Sequence, residues 1–184
     1  MRVVSGKYGG IKLNSPETSA IRPTTDRIKE TLFNILYSSG ILDDSVVLDL
    51  FCGSGALGIE ALSRGASRVY FVDSKKYSMD LCKLNLNKIS GDIHTLMCDF
   101  SIALNKFSTE NIKFDLILLD PPYNMSLEQK AIQLILNLNL LDENGIIAVE
   151  TDKNLDLSKF LDTLDVQYKS RNCGNTTLHF ISKV

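Results

Sequence analysis

Asp120, Pro121, Pro122 and Tyr123 follow directly on the apolar run FDLILL, and this order of residue types suits one kind of chemistry. Two prolines remove two backbone donors and fix two φ angles, so the chain leaves its strand as a stiff corner with its carbonyls and the Asp120 carboxylate pointing outward. Such a corner is a preorganised set of hydrogen-bond acceptors. An exocyclic amine on an aromatic base is a poor nucleophile because its lone pair is delocalised into the ring. Acceptors on its two hydrogens favour a pyramidal nitrogen and aim the lone pair at an electrophilic methyl group, while Asp120 stabilises the positive charge that develops. Tyr123 can stack on the flipped-out or unpaired base, a contact worth ~1–3 kcal/mol. Alone, the tetrapeptide reads by default as a Pro-Pro turn with Tyr123 in the core, so the rest of the chain decides.

A second chemical feature lies upstream, in VVLDLFCGSGALGIEAL, where Gly53, Gly55 and Gly58 form G-x-G-x-x-G between a strand and a helix. Glycines there let the backbone turn tightly and let a ligand reach main-chain N–H groups at a helix N-terminus. Asp73 ends the next strand 20 residues after Gly53, at the place where a carboxylate accepts ribose hydroxyls. The pattern predicts a nucleoside-containing cofactor held by Phe51, Gly53, Ser54, Gly55 and Asp73. Asp49, four residues before Gly53, selects among such cofactors. A carboxylate would repel a pyrophosphate and attract the ammonium and sulfonium of S-adenosylmethionine, by at least ~1 kcal/mol at contact. Its alternative is a carboxylate that accepts loop N–H bonds. Asp99, in MCDF, either accepts the adenine amino group with Phe100 packed on the ring or caps the following helix.

Strands and helices must alternate to bring these features together. VVLDL, RVYFVD, IHTLMCD, FDLILLD and GIIAVE read as strands, separated by helices over GALGIEALSRG, YSMDLCKLNLNKI, Ser101–Phe107 and LEQKAIQLILNLNLL. A short helix near Leu157–Leu164 and the antiparallel edge pair VQYKSRNCGNTTLHFI complete the chain. This predicts an α/β fold, Rossmann-like and doubly wound, with a mostly parallel seven-stranded sheet and an antiparallel edge strand. The first and fourth strands lie side by side at the switch point, ~5 Å apart, which sets the DPPY corner beside the glycine loop. At the N-terminus, RVVSGKYGGIKL reads as a small β-hairpin turning through Gly6 to Gly10. After a linker, Thr24 or Thr25 caps a helix with Ile28, Leu32, Ile35 and Leu36 on one face. The expected division is residues 1–20 as hairpin extension and linker, and 21–184 as the catalytic domain.

With 184 residues and 44% hydrophobic content, the chain has enough material for one full core. No apolar run nears the ~20 residues of a membrane span, and the start lacks a secretory signal, so a cytoplasmic protein without a membrane partner is expected. Cys52, Cys82, Cys98 and Cys173 are scattered and the two histidines, His94 and His179, lie in apolar stretches, so neither a metal site nor a disulfide framework is expected. The net charge of −2 divides unevenly: residues 1–30 hold six Lys/Arg against three acids, giving +3 there and −5 elsewhere. A short basic end suits either RNA or an ordinary solvated face.

Together, DPPY after an apolar strand and the D-x-F-x-G-S-G loop resemble the amino-group methyltransferases of DNA and RNA. RPTTDRIKETLFNIL (22–36), DLFCGSGALGIEALSRGA (49–66) and the closing Arg171, Gly174 and Thr176 narrow the likeness. With these the chain resembles the bacterial 16S rRNA guanine-N2 methyltransferase family, which is of the class I methyltransferase fold. The resemblance covers nearly the whole chain. It implies S-adenosylmethionine contacts at Asp49, Gly53, Gly55, Asp73 and Asp99, and a target guanine held by Asp120 to Tyr123. It also implies Arg22, Thr24 and Arg27 at the mouth of the site, and 16S rRNA within the small ribosomal subunit, or an assembly intermediate, as partner of a monomer. The hairpin departs from the family's R-G-R by carrying Gly9 and Ile11 around Gly10, which lessens its charge toward phosphate.

Two rival readings follow from the same residues. A DNA adenine or protein-amide methyltransferase would use the same corner, although 184 residues leave little room for a DNA-recognition insertion. An NAD-dependent oxidoreductase would explain the glycine loop and Asp73, but neither Asp49 nor DPPY.

Overall fold

The computed structural model describes residues 1–16, 26–122 and 126–184. Helix α1 (Asp26–Ser38) precedes β1 (Val46–Leu50), α2 (Ala56–Ser63), β2 (Arg68–Asp73), α3 (Lys76–Leu86) and β3 (Asp92–Met97). Then come α4 (Phe100–Thr109), β4 (Phe114–Leu119), α5 (Leu127–Asn137), β5 (Leu141–Asp152), α6 (Ser158–Leu161), β6 (Val166–Cys173) and β7 (Thr176–Lys183). The seven strands form one sheet in the order β3-β2-β1-β4-β5-β7-β6. Pairings among β1 to β5 are parallel, while β7 runs antiparallel to both β5 and β6. The doubly wound α/β architecture expected from the alternation of elements is the one observed.

Strand alternation divides the core in two. Val47, Phe71 and Leu118 face α1, α2 and α3, packing with Leu32, Phe33, Ile59 and Met79. Leu48, Leu50, Tyr70 and Leu119 face the other way, against Leu104 and Phe107 of α4 and Ile132 and Ile135 of α5. Both faces of the central strands are covered, which is why β1 and β4 are almost continuously apolar. Asp49 breaks that run.

Helix α2 is buried along all eight of its residues, because the sheet, α1 and the N-terminal segment enclose it. Gly58 sets how near it lies to β2: a Cβ there would fall 2.4 Å from Cε1 of Phe71. Any larger residue would push the helix, and the loop before it, away from the sheet.

Three local details differ from the sequence-based expectation. The N-terminal hairpin is a single antiparallel bridge, Arg2 to Lys12, held by Val3 N–H to Ile11 O and Gly10 N–H to Val3 O, rather than a pair of strands. On α1, Phe33 is fully buried while Ile35 is only half-buried, so the apolar face is rotated toward Ile28, Leu32, Phe33 and Leu36. Helix α5 stops at Asn137 instead of running to Leu141, because Asn139 turns left-handed (φ 49°) and Leu140 N–H closes back on Ile135 O. That stop frees Leu141 to pair with Phe114, which starts β5 four residues earlier than its apolar core suggests. The antiparallel edge pair is present as expected, with β7 on the inside against β5 and β6 outermost. The expected caps Thr24 and Thr25 lie outside the described residues. Among the described residues no helix is long and apolar enough to cross a membrane.

Candidate active site

Register sets the site. Leu50 pairs with Val72 on one side and Leu119 on the other, so β1, β2 and β4 end level. Phe51, Asp73 and Asp120 therefore leave the sheet from a common rim, with Asp49 one layer beneath.

Asp49 is 2% exposed, and its Oδ2 accepts the N–H of Gly58 at 2.8 Å. Burial pushes its carboxyl up to about 7; the Gly58 amide opposes the rise, and the charges of Asp120 and Asp73 add to it. Of the two alternatives for Asp49, the accepted loop amide is present.

The loop above it is wound tightly. Phe51, Gly53 and Gly55 have φ of 71°, 54° and 78°, three left-handed residues within five. For Phe51 this conformation is costly, of order 1 kcal/mol or more, and it is held by Cys52 N–H bonding Val72 O and Gly55 N–H bonding Cys52 O. A Cβ on Gly53 would meet nothing within 4 Å, so the loop leaves open space where a ligand's main body would approach. The Gly53 N–H itself is taken by Asp73 Oδ2 at 3.0 Å, and Lys75 N–H bonds Asp73 Oδ1 at 2.8 Å. Asp73 so ties the loop to the end of β2, each of its oxygens accepting one N–H.

Asp99 caps α4: its Oδ1 accepts from the Ser101 N–H at 2.8 Å and the Ser101 hydroxyl at 2.6 Å. Of its two expected roles the cap is present, and the other oxygen stays available for an amino group. Phe100 packs against Phe51, ring centroids 5.4 Å apart and tilted by 48°, forming an aromatic wall between the first and third strand ends.

At the end of β4, Asp120 is half-buried, Pro121 buried and Pro122 exposed. Tyr123, Arg22 and Thr24 lie outside the described residues. Arg27 is exposed at the start of α1. Lys29, counted among the N-terminal cations, is instead fully buried, 3.5 Å from the equally buried Glu60. It adds nothing to an RNA-facing surface.

Two supporting residues escaped the sequence reading. Glu60 accepts the N–H groups of Val4 (2.7 Å) and Ser5 (3.0 Å) and pairs with Lys29 and Arg64, so one carboxylate fastens the N-terminal segment and α1 to α2. Its signal was a charge within the otherwise apolar ALGIEALS. Asn85, fully buried on α3, exchanges both hydrogen bonds with the backbone of Asn14 and donates to Ser54 O at 3.0 Å. It joins the chain ahead of α1 to the glycine loop.

Three carboxylates around an open glycine loop suit a cationic nucleoside and disfavour a pyrophosphate. Fold and rim together define a class I methyltransferase, an enzyme whose methyl donor is S-adenosylmethionine. The chain belongs to the family described as conserved hypothetical protein 95, whose model matches residues 1–182. It is similar to the ribosomal RNA small subunit methyltransferase D of Haemophilus influenzae, 38% identical over 163 residues that cover 84% of this chain and 80% of that protein. Solved structures agree: a Thermus thermophilus protein superposes with a TM-score of 0.85 at 25% identity, covering 100% of this chain and 99% of that one. A protein from Haemophilus influenzae described as a methylase gives a TM-score of 0.77 at 32% identity over 100% of this chain and 98% of its own. The oxidoreductase reading has no support in any of these.

Proposed function

We propose that the chain methylates the exocyclic N2 amine of a guanine in 16S rRNA, acting as a cytoplasmic monomer on the small ribosomal subunit or an assembly intermediate. The observation that carries this reading is the level end of β1 and β4, Leu50 beside Leu119, which puts the Asp120-Pro121 corner next to the buried carboxylate of Asp49. The names of its relatives, ribosomal RNA small subunit methyltransferase D from Haemophilus influenzae and from Escherichia coli, support RNA of the small subunit as substrate.

In this assignment Asp49 faces the cationic end of S-adenosylmethionine, Asp73 the ribose hydroxyls and Asp99 the adenine amino group, with Phe51 and Phe100 as the wall of the base site and Gly53, Ser54 and Gly55 as the floor. When bound, S-adenosylmethionine supplies a methyl group on a sulfonium, an electrophile that leaves a neutral thioether. Asp120 and a carbonyl of the corner accept the two N2 hydrogens and hold the nitrogen lone pair toward that methyl group. The methylated nitrogen is acidic and gives its extra proton to water, so no strong base is required. Pro121 and Pro122 keep the acceptors from relaxing, and Tyr123 stacks on the base. Arg22, Thr24 and Arg27 line the mouth. Because Lys29 is internal, the cationic surface is small, and the assembled subunit supplies shape as well as charge.

The test is methyl transfer from radiolabelled S-adenosylmethionine to unmodified small subunits, protein-free 16S rRNA, DNA and protein. Label confined to the rRNA and greater in subunits than in naked RNA is expected. Label in DNA or protein with none in rRNA would overturn the assignment.

A further inference from the structure

Beside the corner lies a small hollow of about 70 Å³, walled by Pro121, Ser126, Leu155 and the polar group Glu128, Glu150, Thr151 and Asp152. It has room for about two water molecules, and so admits the edge of a base rather than a whole one. Its walls are acidic and deep: Glu128 is 4% exposed, Glu150 5% and Thr151 2%.

The members differ in what they already do. Thr151 is fixed by His179, its Oγ1 lying 3.0 Å from Nε2. Asp152 closes its own turn, Oδ1 accepting the backbone N–H of Asn154 at 2.9 Å and its side-chain amide at 2.7 Å. Glu128, second residue of α5, has no hydrogen bond or ion pair to its side chain among the described residues, although it is more than nine-tenths buried and lines the hollow. Its oxygens are not wholly enclosed, since Thr176 Oγ1 is the unpaired side-chain atom fully shut from solvent among the described residues. A donor that enters the hollow can therefore reach the carboxylate.

Resting on the guanine-N2 assignment above, we infer that Glu128 reads the Watson–Crick edge of the target base, accepting the N1–H of guanine while the Asp120-Pro121 corner holds N2. N1–H and N2 are neighbours on one edge of guanine, as the hollow and the corner are neighbours through Pro121. Adenine has a lone pair at N1, which a carboxylate repels. A site that hydrogen-bonds a substrate N–H rejects the analogue lacking it far more strongly than an apolar pocket rejects a change of size. Asp120 and its corner select an amine, and Glu128 selects which purine carries it.

The experiment uses small subunits reconstituted with 16S rRNA that carries either guanosine or 2-aminopurine riboside at the methylated position. 2-Aminopurine keeps the amine and lacks N1–H. The wild-type enzyme is expected to prefer guanosine by tenfold or more in kcat/KM. Glu128→Gln, whose amide can serve either edge, and Glu128→Asp, whose oxygens are drawn back by one carbon, are each expected to lower that preference at least tenfold. A carboxylate that merely complements the N-terminus of α5 would alter stability in the variants and leave the ratio unchanged. An unchanged ratio in both variants, or a wild-type preference below twofold, overturns the inference while leaving guanine-N2 methylation standing. Wild-type enzyme that labels neither subunit overturns the underlying assignment instead.

Discussion

The Asp49 carboxylate, 2% exposed at the end of β1, accepts the Gly58 amide of α2 at 2.8 Å, so the group proposed to face the cationic end of the cofactor is bonded to the helix that the glycine loop opens. Under that proposal one residue couples cofactor charge to loop geometry, and burying it lowers the stability of the cofactor-free protein.

That lowering is measurable as a pH dependence. Asp49 binds its proton more tightly in the folded chain, where its pKa is about 7, than in the unfolded chain at 3.8. Its favourable contribution is complete below pH 4 and is lost as pH rises to about 7. Asp49→Asn should therefore raise the stability of the cofactor-free protein at pH 8, by up to about 4 kcal/mol, with the difference shrinking toward pH 4. The same variant should bind S-adenosylmethionine about 10- to 100-fold more weakly at pH 8, in line with the loss of one charge-assisted contact. Cofactor affinity of the wild type should fall as pH drops below 7, and that fall should be absent from Asp49→Asn. Denaturant unfolding and titration calorimetry across pH 5–8 check both halves.

Asp120→Asn should lower kcat by about a hundredfold while the S-adenosylmethionine dissociation constant moves little. Asparagine can still accept one hydrogen but carries no charge to meet the cation that develops. Single-turnover methylation with saturating cofactor reports the chemical step directly, and a rate within threefold of wild type would remove Asp120 from the reaction.

Glu60→Ala should destabilise the fold by about 3–5 kcal/mol, the range for breaking a buried ion pair by removing one partner. Lys29 would be left charged at 0% exposure, and the amides of Val4 and Ser5 would lose their acceptor. Hydrogen exchange at those two amides should accelerate ahead of exchange in the sheet. A loss below about 1 kcal/mol would show that the N-terminal segment does not depend on this carboxylate.

Strand order was legible because apolar runs alternating with helical periods leave few topologies, and β1 beside β4 follows from the doubly wound pattern. The placement of Asp49, Gly53 and Asp73 at one rim was legible for the same reason: their spacing is dictated by a strand, a tight turn and a second strand. What escaped depended on contacts between distant segments. Glu60 sits in a helix whose period gives no hint that the N-terminal segment covers it. The hairpin of β6 and β7 predicts its own pairing, but not which of the two joins β5. Asn139, which turns the chain just after α5, and Glu128, which lines the hollow, are ordinary residues of one apolar-periodic run until the surrounding strands are placed.

The central claim is that the corner following β4 presents guanine N2 to the methyl donor. The most direct measurement is mass analysis of nucleosides from small subunits treated with enzyme and labelled S-adenosylmethionine. One labelled product is expected, N2-methylguanosine from a single position, absent with Asp120→Ala. Label in N6-methyladenosine, in a ring-nitrogen or ribose methyl product, or undiminished with Asp120→Ala, would contradict it.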